Sequence, residues 1–203
     1  MARPIVFLPG MSGDGSFWSP VAEELSDHEH VLVDWPGLGT TPADPAVSSY
    51  DDLTELVLGR LHEPSVVVAQ SMGGYVAVRV ASQAPEMVTH LVLAATSGGL
   101  DLRRFGALDW RPGSRQSHPG APDWAFAETG DVSELIRAIS VPALLIWATR
   151  DAISPLAVGE HLAGLIAGSR LVSFDSDDHW VARVHATEVA KEIAELIGGS
   201  GST

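Results

Sequence analysis

Apolar positions along the chain alternate between two patterns. Short apolar, β-branched runs at Ile5–Leu8, Val31–Val33, Val66–Val68, Val88–Ala94, Ala143–Trp147 and Leu171–Phe174 read as strands, those at Ile5–Leu8 and Val66–Val68 as buried ones. Between them the apolar residues recur at helical spacing. Trp18, Val21, Ala22 and Leu25 predict a helix over Phe17–Leu25, and Leu53, Leu56, Val57 and Leu61 predict another, capped by Ser48 or Ser49. Further helices are expected after Ser71 to about Ala84, over Asp131–Ile139, after Ser154-Pro155, and over Val184–Ile197. From Leu100 to about Gly130 the periodicity fails and Gly, Pro, Trp and Arg dominate, as in a loop or a small lid.

Strands alternating with helices predict an α/β fold: a mostly parallel, doubly wound sheet with helices on both faces. The expected organisation is a single domain over residues 1–197 with a short lid at about 100–130 and no large cap. Residues 198–203, Gly-Gly-Ser-Gly-Ser-Thr, read as a flexible tail. In such sheets ligands bind outside the carboxyl ends of the strands, so chemistry-bearing residues are sought there.

Composition narrows the function. Hydrophobic content of 45% and charged content of 19% are globular values that speak against wholesale disorder. With no cysteine, disulfides, thiolate metal sites and thiol nucleophiles are all excluded. A net charge of −14 disfavours nucleic acid and anionic membranes as partners, because both repel an acidic surface. No apolar run reaches transmembrane length, and the first is too brief for a signal peptide, so a cytoplasmic protein is expected. His28 and His30 fit a solvated turn better than a metal site. Gly10, Gly13 and Gly15 are followed by neither G-x-G-x-x-G nor a cradle lysine, which argues against nucleotide binding. No cofactor and no metal are expected.

One stretch departs from plain core patterning. In Val66-Val67-Val68-Ala69-Gln70-Ser71-Met72-Gly73-Gly74-Tyr75 a strand runs into a helix through a turn too short to be relaxed. Ser71 stands at the corner, and Gly73 lets the helix pass close to neighbouring backbone. The Met72 amide lies at the helix N-terminus, where negative charge is favoured. A nucleophile beside an anion site is machinery for acyl transfer.

This segment resembles the nucleophile elbow, G-x-S-x-G, of the α/β-hydrolase family, with Ala69 in place of the first glycine. The resemblance extends over essentially the whole chain, although the family's leading antiparallel strands are missing. It implies a triad in the order Ser, acid, His. Ser71 is then the nucleophile. Asp151, in Trp147-Ala148-Thr149-Arg150-Asp151-Ala152-Ile153-Ser154-Pro155, is the acid, with Asp101, Asp175 and Asp177 as rivals. His179, in Asp178-His179-Trp180, is the base, with Asp178 where the family has glycine. Pro9-Gly10-Met11 stands where the family has His-Gly-x, so the backbone amides of Met11 and Met72 form the implied oxyanion hole. Trp18, Phe105, Trp110, Trp124 and Trp180 are candidates to line a substrate pocket.

The implied activity is serine hydrolysis of a small carboxylic ester through an acyl-enzyme. The same triad also serves thioesters, lactones and some carbon–carbon bonds, and the fold does not choose among them. A non-catalytic ligand-binding protein on the same fold is the rival class. Arg103, Arg104, Arg111 and Arg115 make the 100–130 stretch locally basic, either to receive an anionic substrate group or as plain solvated charge. No oligomeric state is implied.

Overall fold

A computed structural model describes residues 3–199. In chain order these form β1 (Ile5–Leu8), α1 (Ser19–Glu24), β2 (His30–Leu32), α2 (Tyr50–Leu58), β3 (Ser65–Gln70), α3 (Met72–Gln83) and β4 (Val88–Ala94). There follow α4 (Arg111–Ser117), α5 (Ser133–Arg137), β5 (Ala143–Ala148), α6 (Leu156–Leu165), β6 (Arg170–Phe174), α7 (Val181–Val184) and α8 (Ala186–Gly199). The strands make one six-stranded sheet in the order β2-β1-β3-β4-β5-β6, and every pairing is parallel.

Side chains that alternate along each strand split the core into two layers. Val6, Leu8, Val67, Leu91, Leu145 and Trp147 face one layer, which α2, α3 and α6 cover. Ile5, Phe7, Val68, Val92, Leu144 and Ile146 face the other, covered by α1 and α8. Because both faces are sealed, β1, β3 and β5 are buried at every position, which is why they read as unbroken apolar runs.

The topology also fixes where a site can form. From β1 the chain goes one way to β2, then crosses back so that β3 lies on the other side of β1. The loops after β1 and β3 therefore diverge and leave a crevice at their carboxyl ends, as such sheets do wherever strand order reverses. Ser71 follows β3 and Met11 follows β1, so both border that crevice.

Several boundaries differ from the sequence reading. The first helix is split into a 3-10 turn, Gly15–Trp18, and α1, whose start is set by Pro20 in its first turn. The second strand spans His30–Leu32, and α5 is confined to Ser133–Arg137. The aperiodic 100–130 stretch holds α4 and two 3-10 turns, Leu102–Phe105 and Asp123–Phe126. Helix α8 continues through Gly198 and Gly199, so the expected flexible tail does not begin at 198; residues 200–203 of that tail lie outside the described part.

Candidate active site

The corner between β3 and α3 holds Ser71 at φ 51° and ψ −119°, a conformation that residues with a Cβ avoid. It costs on the order of 1–3 kcal/mol and persists only where neighbours hold it. Here the Ser71 amide donates to the Ala94 carbonyl at 3.0 Å. Its carbonyl accepts from the Gly74 amide at 3.0 Å and from the Thr96 hydroxyl at 2.5 Å. The paired glycines serve different neighbours. A Cβ on Gly73 would lie 2.5 Å from the Pro9 carbonyl oxygen, and one on Gly74 would lie 2.6 Å from the Thr96 Cβ.

Ser71 Oγ lies 2.9 Å from His179 Nε2, although the two residues are 108 positions apart. On the far side of the ring, His179 Nδ1 lies 2.6 Å from Asp151 Oδ2. A carboxylate at Nδ1 favours the tautomer protonated there, which leaves Nε2 free to accept from the serine. The Asp151 side chain is 1% exposed, and its second oxygen accepts from the Ile153 and Ser154 amides at 2.7 and 3.1 Å. Those donors compensate a buried charge that would otherwise be costly.

Of the rival acids none meets His179. Asp101 is bonded to Arg103 at 2.8 Å, an interaction that holds its carboxyl below the usual range, and Asp175 pairs with Arg150. The loop carrying His179 is built by Asp178, whose Oδ1 accepts from the Trp180 amide at 2.7 Å and closes the turn a glycine would otherwise supply. Gln70, buried beneath it, donates to the His179 carbonyl at 3.3 Å.

Ser71 and His179 open into a cavity of about 540 Å³. Met11 and Met72 border it beside the serine, and Leu100, Leu108 and Ile153 supply apolar wall. Met72 opens α3, and the first amides of a helix have no intrahelical acceptor. Met11 follows Gly10 in a turn closed by the Gly13 amide on the Gly10 carbonyl at 3.1 Å. Tyr50 and Tyr75 complete the wall, their rings edge-on at 5.3 Å. The Tyr50 hydroxyl donates to the Ala125 carbonyl at 2.8 Å. Burial pushes that phenol up to about 12, against a smaller opposing effect of Arg111. Neither tyrosine was reached from the sequence, where both read as helix residues without special spacing.

Of the five aromatics expected in the pocket, Trp110 lines the cavity and four do not. Trp18 is fully buried in the layer under α1 and α8, with its indole N–H on the Leu8 carbonyl at 2.9 Å. Phe105 packs 5.3 Å from His161 of α6, and Trp124 stands edge-on behind Tyr50 at 5.9 Å. Trp180 follows His179 but turns outward, 54% exposed, against Phe17. Each is diverted by an aromatic or backbone partner on another element.

The basic stretch is charge-balanced. Arg103, Arg104, Arg111 and Arg115 lie 2.8, 3.6, 3.4 and 3.0 Å from Asp101, Asp131, Asp109 and Asp123. Among the described residues no group of three His, Asp or Glu is placed to hold a metal ion, and no helix is long and apolar enough to cross a membrane.

A parallel sheet that gathers a serine, a histidine and an aspartate at its carboxyl edge, with the serine on a strained strand-to-helix corner, is the arrangement of an α/β hydrolase. The chain belongs to the alpha/beta hydrolase family, whose pattern it matches over residues 5–192. It is 29% identical to the pimeloyl-[acyl-carrier protein] methyl ester esterase of Chromobacterium violaceum, over 94% of this chain and 92% of that relative. Its fold resembles a thermophilic esterase from Thermogutta terrifontis (TM-score 0.78, 24% identity, 98% of this chain and 90% of that one). It also resembles a meta-cleavage product hydrolase from Pseudomonas fluorescens (TM-score 0.78, 19% identity, 98% and 92% covered).

Proposed function

We propose that this protein is a serine esterase that cleaves a small carboxylic ester through an acyl-enzyme. The observation that carries the reading is the unbroken hydrogen-bonded line from Ser71 Oγ through His179 to buried Asp151, at the mouth of a cavity. The Chromobacterium relative is by name a methyl ester esterase, which supports an ester with a small alcohol as leaving group.

In this reading Ser71 Oγ attacks the ester carbonyl as His179 Nε2 takes its proton. Asp151 stays ionised and stabilises the imidazolium. Negative charge developing on the carbonyl oxygen is met by the Met11 and Met72 amides, each worth roughly 3 kcal/mol of transition-state stabilisation. The bond to the alkoxy oxygen then breaks, and the departing alcohol takes the proton from His179. Water repeats the sequence on the acyl group: it gives a proton to His179, the acid leaves, and Ser71 recovers its hydrogen. The segment over residues 100–130 acts as a short lid that shapes the acyl pocket with Trp110, Leu108, Tyr50 and Tyr75.

Fluorophosphonate labelling, read by intact mass and peptide mapping, tests the reading. One adduct per chain on Ser71 is expected, with none on Ser71→Ala. Folded wild-type protein that takes no label would overturn the esterase and leave the ligand-binding alternative. A panel of p-nitrophenyl esters, a thioester and a lactone then sets the preferred bond.

A further inference from the structure

Two non-glycine residues among those described have positive φ: Ser71 and Ala95, at 43°. They end adjacent strands, because β3 and β4 are paired with Gln70 opposite Ala94. Ala95 is anchored by its amide on the Ile146 carbonyl at 3.0 Å. The residue it delivers is Thr96, 1% exposed, whose oxygens are engaged on both sides. The Thr96 hydroxyl donates to the Ser71 carbonyl at 2.5 Å and accepts from the Gly98 amide at 3.0 Å. The Thr96 carbonyl accepts from the Ser154 hydroxyl at 3.1 Å.

Ser154 is equally buried and equally committed. Its amide donates to Asp151 Oδ1 at 3.1 Å, while its carbonyl accepts from the Trp147 indole at 3.0 Å. A second line of contacts thus runs from the nucleophile to the acid without passing through His179: Ser71 carbonyl, Thr96, Ser154, Asp151. The line joins three loops, after β3, β4 and β5, with Ser154 and Asp151 sharing the last.

We propose that Thr96 and Ser154 are positioning residues that set the spacing between the Ser71 corner and the Asp151 loop. The proposal rests on the serine-esterase reading above. Its physical basis is strain. The Ser71 backbone would relax if its carbonyl lost a donor, and relaxation carries Oγ away from His179 Nε2. Thr96 is 1% exposed, so water has poor access to the place its hydroxyl would leave. Displacement of a reacting atom by about 1 Å can cost ~100-fold in rate. The role acts on geometry at the reacting atom, so it falls on kcat and leaves KM alone.

The test is steady-state hydrolysis of p-nitrophenyl acetate together with the rate of fluorophosphonate labelling, on variants held well below their thermal midpoints. Thr96→Val keeps the side-chain shape and removes the hydroxyl; it is expected to lower kcat and the labelling rate by ~10-fold or more, with KM within ~2-fold of wild type. Thr96→Ser restores the hydroxyl and is expected to return kcat to within ~3-fold of wild type. Should Thr96→Val fail to fold, Ser154→Ala carries the test. It leaves the Thr96–Ser71 bond intact and is expected to lower kcat by ~3-fold at unchanged KM. Wild-type kcat in a folded Thr96→Val, or in Ser154→Ala when only that variant folds, overturns the proposal. So does a loss in Thr96→Val that Thr96→Ser does not rescue. Those results leave the esterase standing, whereas wild-type protein that neither labels nor hydrolyses overturns the esterase and this proposal together.

Discussion

The two walls of the cavity are held by different kinds of contact. On the sheet side Gln70, Thr96, Asp151 and Ser154 are each at most 3% exposed and hydrogen-bonded to a neighbouring loop. Across the cavity, residues 100–130 carry exposed ion pairs of arginine with aspartate. Glycines show the same contrast. A Cβ at Gly73 or Gly74 would run into backbone or side chain within 2.6 Å, whereas at Gly106, Gly113, Gly120 and Gly130 it would meet nothing within 4 Å. The sheet wall keeps reacting atoms in one arrangement; the opposite wall can change its residues at small cost. On the esterase reading, chemistry and substrate preference are therefore under separate structural control.

That contrast can be broken or sharpened by experiment. The largest effects belong to the sheet wall. Ser71→Ala and Asp151→Asn are expected to lower kcat for p-nitrophenyl acetate by roughly 10³-fold or more while thermal unfolding stays near wild type. Retained turnover in either would dissolve the distinction. Gly74→Ala forces a methyl against Thr96 and is expected to cost about 1–3 kcal/mol in chemical denaturation, with turnover falling as well.

Tyr50 joins the two walls, and its effect depends on pH. Its folded pKa of about 12 lies above the unfolded 10.0, so folding favours the neutral phenol. The resulting stability is fully present below pH 10 and is lost as pH rises toward 12, by about 2–3 kcal/mol in total. Tyr50→Phe should cost about 1 kcal/mol near neutrality by removing the bond to Ala125. Denaturation curves between pH 8 and about 12 should show the wild-type advantage shrinking and then reversing; parallel curves would mean that Tyr50 is not buried as described.

On the far wall the signs change and the magnitudes shrink. Gly113→Ala, inside α4 and facing open space, should stabilise by about 0.5–1 kcal/mol. Arg103→Ala and Arg104→Ala should each leave stability close to wild type, as loss of an exposed ion pair generally does. Their effect on hydrolysis of a neutral ester should be under ~2-fold, and a larger loss would show that this wall shares in the chemistry.

What could be read from the chain follows the same division. Buried parallel strands are legible because both faces demand apolar residues, so β1, β3 and β5 stand out as runs. Ser71 and Asp151 were reachable because each lies just beyond such a run; His179 follows β6, a partly exposed edge strand, and was reachable through the order serine, acid, histidine. Thr96 and Ser154 lie there too, but serine and threonine after a strand look like turn formers. Only the pairing of β4 between β3 and β5 shows what their hydroxyls meet. The tryptophans misled because an aromatic near a site in sequence can be claimed by another layer, as Trp18 is by Phe7 and the Leu8 carbonyl. Helix α7 has only four residues, too few to leave a periodic trace, and Gly198 and Gly199 continue α8 although glycine reads as its end.

The distances in sequence between the three hydrogen-bonded residues have a use of their own. Ser71, Asp151 and His179 hang from β3, β5 and β6, and a slip of one residue in any parallel pairing would turn its side chains to the opposite layer. If Ser71 takes the label as proposed, a molecule that reacts with fluorophosphonate has therefore assembled the sheet from β3 to β6 in the correct register. The reacted fraction, followed during refolding or along a denaturant gradient, becomes a census of correctly threaded chains. It would leave out misaligned but compact species that circular dichroism counts as native.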